Sequence, residues 1–397
     1  MILAYLLIGF LGLLFLGWAL RAAGRGLIGS PYFRDMGLSV AFGYMLAVAL
    51  VALLAWGYWL SRFAPPEIAP RYFFLRIAIE GLVLFALAGW LFRALGRTLG
   101  TAGSRKVFRA MPVTAAFGIL VILLYAIVAI FAPLLAPYGQ DQVLATANVV
   151  PGGDPALGGN PDFPLGTDQI GRDILSRLIF GAQNTVGFAF VTTCLAFLLG
   201  GTLGFLAAVL GGWLDQLLSR FVDVLMAIPS LIFALLLMAI ASAWAGSERW
   251  LLTLYMVVII AVIDSTRVYR LSRAVGQNIV VMDYIEAAKL RGEGLGYLIF
   301  KEILPNAYAP LLAEFGLRFC FVFLTIAALS FLGVGIQPPL ADWGTMVRDL
   351  AAFINYAAFA PQAASPPLLA AGAIALLTVA VNFVVDWMLY SSSGLKE

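Results

Sequence analysis

The residues able to do chemistry are few. Among 397 residues there is no histidine, which removes the commonest metal ligand and general base. Cys194 and Cys320 each stand inside an apolar run and read as small buried hydrophobes. That leaves carboxylates and guanidiniums. Arg76 and Glu80 lie four apart in one apolar run, and Glu314 and Arg318 four apart in another, so each pair shares a helix face. Asp264 and Asp386 stand singly in further apolar runs. Ionisable groups inside a bilayer are costly and mark candidate functional positions. Each pair either neutralises itself as a structural device or lines a solute path, and Glu314 with Arg318 is the preferred path candidate. A phosphate-binding loop of the form G-x-x-x-x-G-K-[ST] is absent, and the glycine-containing run 100–106 lacks both the spacing and the hydroxyl after Lys106. The chain is therefore expected to be no enzyme and to hold no cofactor, and any energy from ATP must come through a partner.

The elements that carry these groups follow from hydropathy. The chain is 62% hydrophobic and 11% charged, with a mean hydropathy of +0.98. A helix of about 20 apolar residues crosses about 30 Å of hydrocarbon. Nine such runs are legible, at 3–20, 38–60, 72–92, 112–134, 185–210, 224–245, 250–269, 309–335 and 367–390. Backbone in lipid must satisfy its own hydrogen bonds, so runs of this length are helices. The expectation is an all-α polytopic membrane protein of about nine transmembrane helices. The first run has no basic residue before it and three arginines (Arg21, Arg25, Arg34) after it, which suits a retained helix with its N-terminus outside.

Basic residues set the orientation. Arg93, Arg97, Arg105, Lys106 and Arg109 follow the third run, and Arg270, Arg273, Lys289, Arg291 and Lys301 follow the seventh, so both segments are expected in the cytoplasm. The 135–184 loop is acidic on balance and is expected outside. The C-terminus then lies inside, although Arg62 and Arg71 stand on the expected outer side. The basic linker divides an N-terminal section, 1–104, from a six-span section, 105–397.

Between the seventh and eighth runs lies a cytoplasmic loop, 271–308, that is long for so economical a chain. Tyr284–Arg291 is a good helix former, Gly292 and Gly294 can supply a turn, and Leu295 begins a second helix with apolar Leu298, Ile299 and Ile303. A short exposed helix pair held between two spans is a handle, because whatever moves it moves both spans.

This stretch resembles the EAA loop of the permease subunits of ATP-binding-cassette importers. The pattern is Glu-Ala-Ala, three residues, Gly, and a spacer ending in Leu-Pro, matched by Glu286, Ala287, Ala288, Gly292, Leu304 and Pro305. The resemblance implies a coupling helix that docks in a groove of the ATPase, with Glu286, Ala287, Ala288 and Gly292 at the contact. Where the peptide-permease branch usually carries His before the Ile-Leu-Pro-Asn run, this chain carries Glu302.

Further segments resemble the dipeptide, oligopeptide and nickel branch. One is 164–177, with Thr167, Asp168, Gly171, Arg172 and Asp173; there Thr167 and Asp168 can cap a short interfacial helix, and Asp173 can pair with Arg177. This segment is either structural or touches solute. The others are 328–344, where Trp343 suits the membrane interface, 378–386, 117–139 and 211–229. Together the resemblance covers about 105–397 and leaves 1–104 without a functional account. It implies a bacterial inner-membrane complex of this chain, a homologous second permease, two ATPase subunits that bind ATP and magnesium, and an extracytoplasmic substrate-binding protein. Membrane lipid is a partner and nucleic acid is not. The solute would be a peptide or similar small molecule. A secondary transporter would need its own coupling-ion site in repeated halves, and a membrane enzyme or assembly factor would need a polar cluster at one membrane depth; neither pattern is visible in the sequence.

Overall fold

The computed structural model describes residues 37–65, 72–99, 101–144, 147–246, 248–358 and 360–392, with a few positions between 12 and 22. The expected first span, 3–20, lies largely outside the described residues. Seven described helices are long and apolar enough to cross a membrane, or eight if a bent pair counts as one further span. The expected nine therefore becomes seven or eight among the described residues. The chain divides into two units, Met1–Leu84 and Phe85–Glu397.

In the first unit, α1 (Leu38–Phe63) precedes the start of α2 (Phe73–Leu99). Arg62 is paired with Glu80 at 2.7 Å, and Arg76 approaches the same carboxylate at 4.0 Å. The expected pair on α2 is thus a three-residue cluster, and Arg62 has a partner.

In the second unit, the amphipathic α3 (Ala102–Ala110) is capped by Thr101, whose side chain accepts from Ser104 N–H. Helix α4 (Val113–Leu135) bends at Phe131, close to Pro133, which has no N–H for the helical ladder. Helix α5 (Ile174–Gly181) runs through a π-helical segment, Ala182–Val186, into α6 (Gly187–Leu210), so the expected span at 185 begins some ten residues earlier.

The run expected as one span at 224–245 is instead two helices, α7 (Gly212–Ala227) and α8 (Ser230–Ala245), bent by 91°. The cause is Pro229. Its ring forces Ile228 out of the helical region, to φ −92° and ψ 130°. Helix α9 (Arg249–Val280) extends the expected seventh span well into the basic segment. After α10 (Asp283–Leu290), a turn at Leu295–Tyr297 and a π-helical stretch at Leu298–Ile303 lead without interruption into α11 (Leu304–Phe331). Helix α12 (Trp343–Leu350) and α13 (Ser365–Ser392) complete the unit.

Helices α6 and α9 approach each other closely. A Cβ on Gly200 would overlap the Ser265 carbonyl oxygen, and one on Gly204 would meet the Tyr269 carbonyl. Small residues one turn apart let backbones approach closely where lipid gives no hydrophobic drive between helices. The main core joins Met238, Met256, Ile260, Phe323, Ile326, Leu329 and Trp343 from four elements.

Candidate functional site

The loop between α9 and α11 is almost wholly helical. Helix α10 starts after Met282, whose extended φ −80° and ψ 143° turn the chain out of α9. It ends in a tight reversal. Gly292 takes φ +82°, its N–H donates to Lys289 O at 2.9 Å, and Glu293 N–H donates to Ala288 O at 3.2 Å. This paired pattern closes helices whose next residue is left-handed, which glycine adopts without a Cβ clash. Glycine is therefore needed here for its backbone.

The faces of α10 are sharply different. Ile285 and Ala288 are completely buried against Leu298, Ile299 and Ile303. Glu286, Ala287 and Lys289 are exposed, and so are Met282, Tyr284 and Leu290, the last at 83%. The expectation that Ala288 meets a partner needs correction, because its methyl packs inside its own chain. A larger residue there would push α10 off the returning helix. Leu304 and Pro305 are exposed at the start of α11, directly after the π-helical stretch. Glu302 approaches Arg291 at 3.8 Å, so the residue standing in place of the family's usual His has a guanidinium beside it.

A second polar site couples α7 to α9. Arg273 is paired in a two-pronged contact with Asp215, Arg270 donates to Asp223 at 2.6 Å, and the Ser219 and Tyr269 hydroxyls lie 3.0 Å apart. These residues line a cavity of about 360 Å³.

Within the spans, Glu314 and Arg318 pair at 2.7 Å as expected, and Asp264 of α9 joins them at 3.7 Å from the same guanidinium. Sequence reading placed Asp264 alone, since nothing local joins residues in two spans 54 apart. Asp386 is exposed near the end of α13.

The 164–177 segment is turned inward. Thr167, Asp168 and Asp173 are buried. Asp168 accepts from the Ile170 and Arg172 N–H groups and from Arg172 Nε at 2.7 Å, while Gly171 carries the turn. The cap of α5 is Asp173, which accepts from Ser176 N–H and hydroxyl. The expected cap by Thr167 and Asp168 and the expected pair of Asp173 with Arg177 are both corrected. A carboxylate occupied at a helix N-terminus is committed there, and Arg177 instead approaches Asp168 at 3.7 Å and donates to Gln140 O.

Sequence reading missed the knot beyond it. Asn184 donates to Gln140 Oε1 and Ala341 O, and Thr185 donates to Asp342 at 2.9 Å. Asp342 is fully buried and caps α12 through Thr345 N–H. Burial raises its carboxyl pKa above the ordinary value, against hydrogen bonds from Thr345, Thr185 and Ser330 that lower it. Trp343, expected at the membrane interface, is buried and donates from Nε1 to Leu178 O. The segment therefore pins two loops together and presents little to a solute. Among the described residues, no group of three His, Cys, Asp or Glu side chains is disposed to hold a metal.

The described residues form a helical bundle with a short exposed helix held between two long apolar helices. Residues 200–392 match the sequence model of the binding-protein-dependent transport system inner membrane component. The chain is 35% identical over 245 residues to the dipeptide transport system permease protein DppC of Haemophilus influenzae, covering 61% of this chain and 79% of that one. It is also 35% identical over 242 residues to the di/tripeptide transport system permease protein DppC of Pseudomonas aeruginosa (60% and 76%). The glutathione transport system permease protein GsiD of Pectobacterium atrosepticum is 31% identical over 281 residues (70% and 86%). The chain belongs to the binding-protein-dependent transport system inner membrane component family. It is a multi-pass inner-membrane permease subunit of an ATP-binding-cassette importer, and a non-catalytic one.

Proposed function

We propose that this chain is one of two different permease subunits of a peptide importer. Two separate ATPase subunits bind ATP and magnesium, and an extracytoplasmic binding protein delivers solute. Helix α10 is the coupling helix. The observation that carries this reading is its outer face, where Glu286, Ala287 and Leu290 are exposed on a helix joined at both ends to spans. Apolar side chains left open outside the membrane mark an interaction surface. Glu286 and Ala287 meet the ATPase, Gly292 shapes the turn, Ala288 seats α10 on the returning helix, and Leu304 and Pro305 close the coupling loop at the start of α11. Closure of the ATPases on ATP would pull α10 and with it α9 and α11, switching the permease pair between outward and inward states.

The basic residues flanking α10 favour a cytoplasmic loop and C-terminus, with the N-terminus outside. Residues 1–104 form an N-terminal extension to a transport core at 105–397. Peptides as the solute follow from the names of the relatives. The test is uptake of a labelled dipeptide by cells lacking and regaining this chain. Uptake should return with the chain, survive collapse of the proton gradient, and stop on ATP depletion. Uptake that follows the ion gradient and ignores ATP would overturn the reading.

A further inference from the structure

Helix α3 lies where the chain turns back between α2 and α4. Both of those helices are long and apolar enough to cross a membrane. They pack side by side, with the Phe85 ring edge-on to Phe117 and Gly89 against Phe117. The end that they share, with the nine-residue α3 between them, therefore stands at a membrane surface.

Phe108 seats α3 on α2. Its ring stands edge-on to Phe92, 5.4 Å between centroids, and fills the space that Gly96 leaves. The Phe108 carbonyl cannot be met by the residue four positions on, because Pro112 has no N–H. Arg93 and Arg97, one turn apart on α2, meet it instead: the Nε of each donates to Phe108 O, at 3.4 and 3.3 Å. Two guanidiniums thus converge on one oxygen, and the other N–H groups of both forks have no acceptor among the described residues. Arg105 and Arg109 share a face of α3, and both are exposed, as is Lys106.

None of these cations enters an ion pair among the described residues. The sequence has no Asp or Glu between Glu80 and Asp141. Asp386, beside the Trp387 that packs on the Met111 cluster, makes no ion pair with them. Like charges gathered in this way repel one another and draw an anion. The surroundings define which one. Leu91, Leu95 and Leu99 form an exposed apolar row to the last residue of α2, and Val107 is exposed on α3. Exposed leucines beside guanidiniums match the boundary of a phospholipid, acyl chain against the one and phosphate against the other. Paired guanidinium forks suit phosphate oxygens.

We propose that Arg93 and Arg97, with Arg105 and Arg109, hold the headgroup phosphate of an anionic membrane phospholipid and so fix α3 on α2 at the membrane surface. This goes beyond the importer reading and does not depend on the solute.

The test takes the tagged full chain, in the complex in which it purifies, and titrates it in detergent with phosphatidylglycerol. Bound lipid is read by native mass spectrometry, with phosphatidylcholine and inorganic phosphate as comparison ligands. Wild type should bind phosphatidylglycerol about tenfold more tightly than phosphatidylcholine. Arg93→Gln and Arg97→Gln should each weaken that binding about fivefold, and Arg97→Lys, which keeps the charge without the fork, should weaken it less. The glutamine variants also lose a contact to Phe108 O. The double variant Arg105→Gln, Arg109→Gln leaves that contact intact, so it carries the test if they do not assemble, and it too should weaken phosphatidylglycerol binding about fivefold. Equal binding of the two lipids by wild type, or unchanged phosphatidylglycerol binding in the variants, overturns the proposal. So does inorganic phosphate that competes as well as the lipid, since the site would then take the ion alone. If the variants keep their lipid and shed a neighbouring chain, the counter-charge is an acidic protein surface and the proposal falls.

Discussion

Glu302 lies 3.8 Å from Arg291, across the turn that closes α10. The contact ties the start of the returning helix to the end of α10. Arg291 is half-exposed, and such pairs contribute between nothing and about 1 kcal/mol. Glu302→Gln should therefore leave thermal stability in detergent nearly unchanged. Gly292→Ala should act more strongly. Its Cβ meets no neighbour, so the cost is backbone strain at φ +82°, about 1–2 kcal/mol. The substitution should loosen α10 and lower transport-coupled ATP hydrolysis more than it lowers the unfolding midpoint. Equal loss in the two measurements would mean that the turn serves folding alone.

The α6 and α9 contact makes a sharper demand. A methyl at Gly200 has no room beside the Ser265 carbonyl. Overpacking of this kind costs about 1–3 kcal/mol. Gly200→Ala should lower the thermal midpoint clearly, while Gly187→Ala, in open space on the same helix, should not.

Removing Arg318 should destabilise the protein by about 3–5 kcal/mol, because the buried Asp264 and the half-buried Glu314 would lose the guanidinium that they share. Arg318→Met combined with Asp264→Asn and Glu314→Gln should recover much of that loss. Unfolding by denaturant in a fixed detergent checks both, and a triple variant no better than the single one would contradict the account.

Asp342 gives a pH dependence of definite sign. Burial raises its folded-state pKa, so the protonated form is favoured in the fold relative to the unfolded chain. Its contribution is fully present below the unfolded-state value and is lost as pH rises through the raised one. The thermal midpoint should fall as pH increases from about 4, and Asp342→Asn should flatten that fall.

The helices were legible because apolar runs of this length have one solution in a bilayer. The helix and turn at 283–294 were legible because the turn needs Gly292 and the Glu-Ala-Ala spacing is local. The break at Ile228 was missed, though Pro229 signals it, because hydropathy alone runs smoothly across it. The split of roles between Ala287 and Ala288 depends on where Ile299 and Ile303 return, and identical residues carry no mark of their side. The caps and pairs around Asp168 and Asp173 were mis-assigned because local spacing offered an i,i+4 partner, while Gln140 and Asn184 were supplied from elsewhere. Asp264 meets Arg318 only through packing of two spans.

The most direct test of the account is retention of the ATPase subunits by the tagged, detergent-purified chain, comparing wild type with Glu286→Lys and Leu290→Asp. Both side chains are exposed on α10 and support nothing inside the chain, so the fold should survive. The account predicts that wild type carries a second permease and ATPase subunits, and that both variants keep the permease and shed the ATPases. Variants that retain the ATPases at the wild-type level would contradict α10 as the coupling helix.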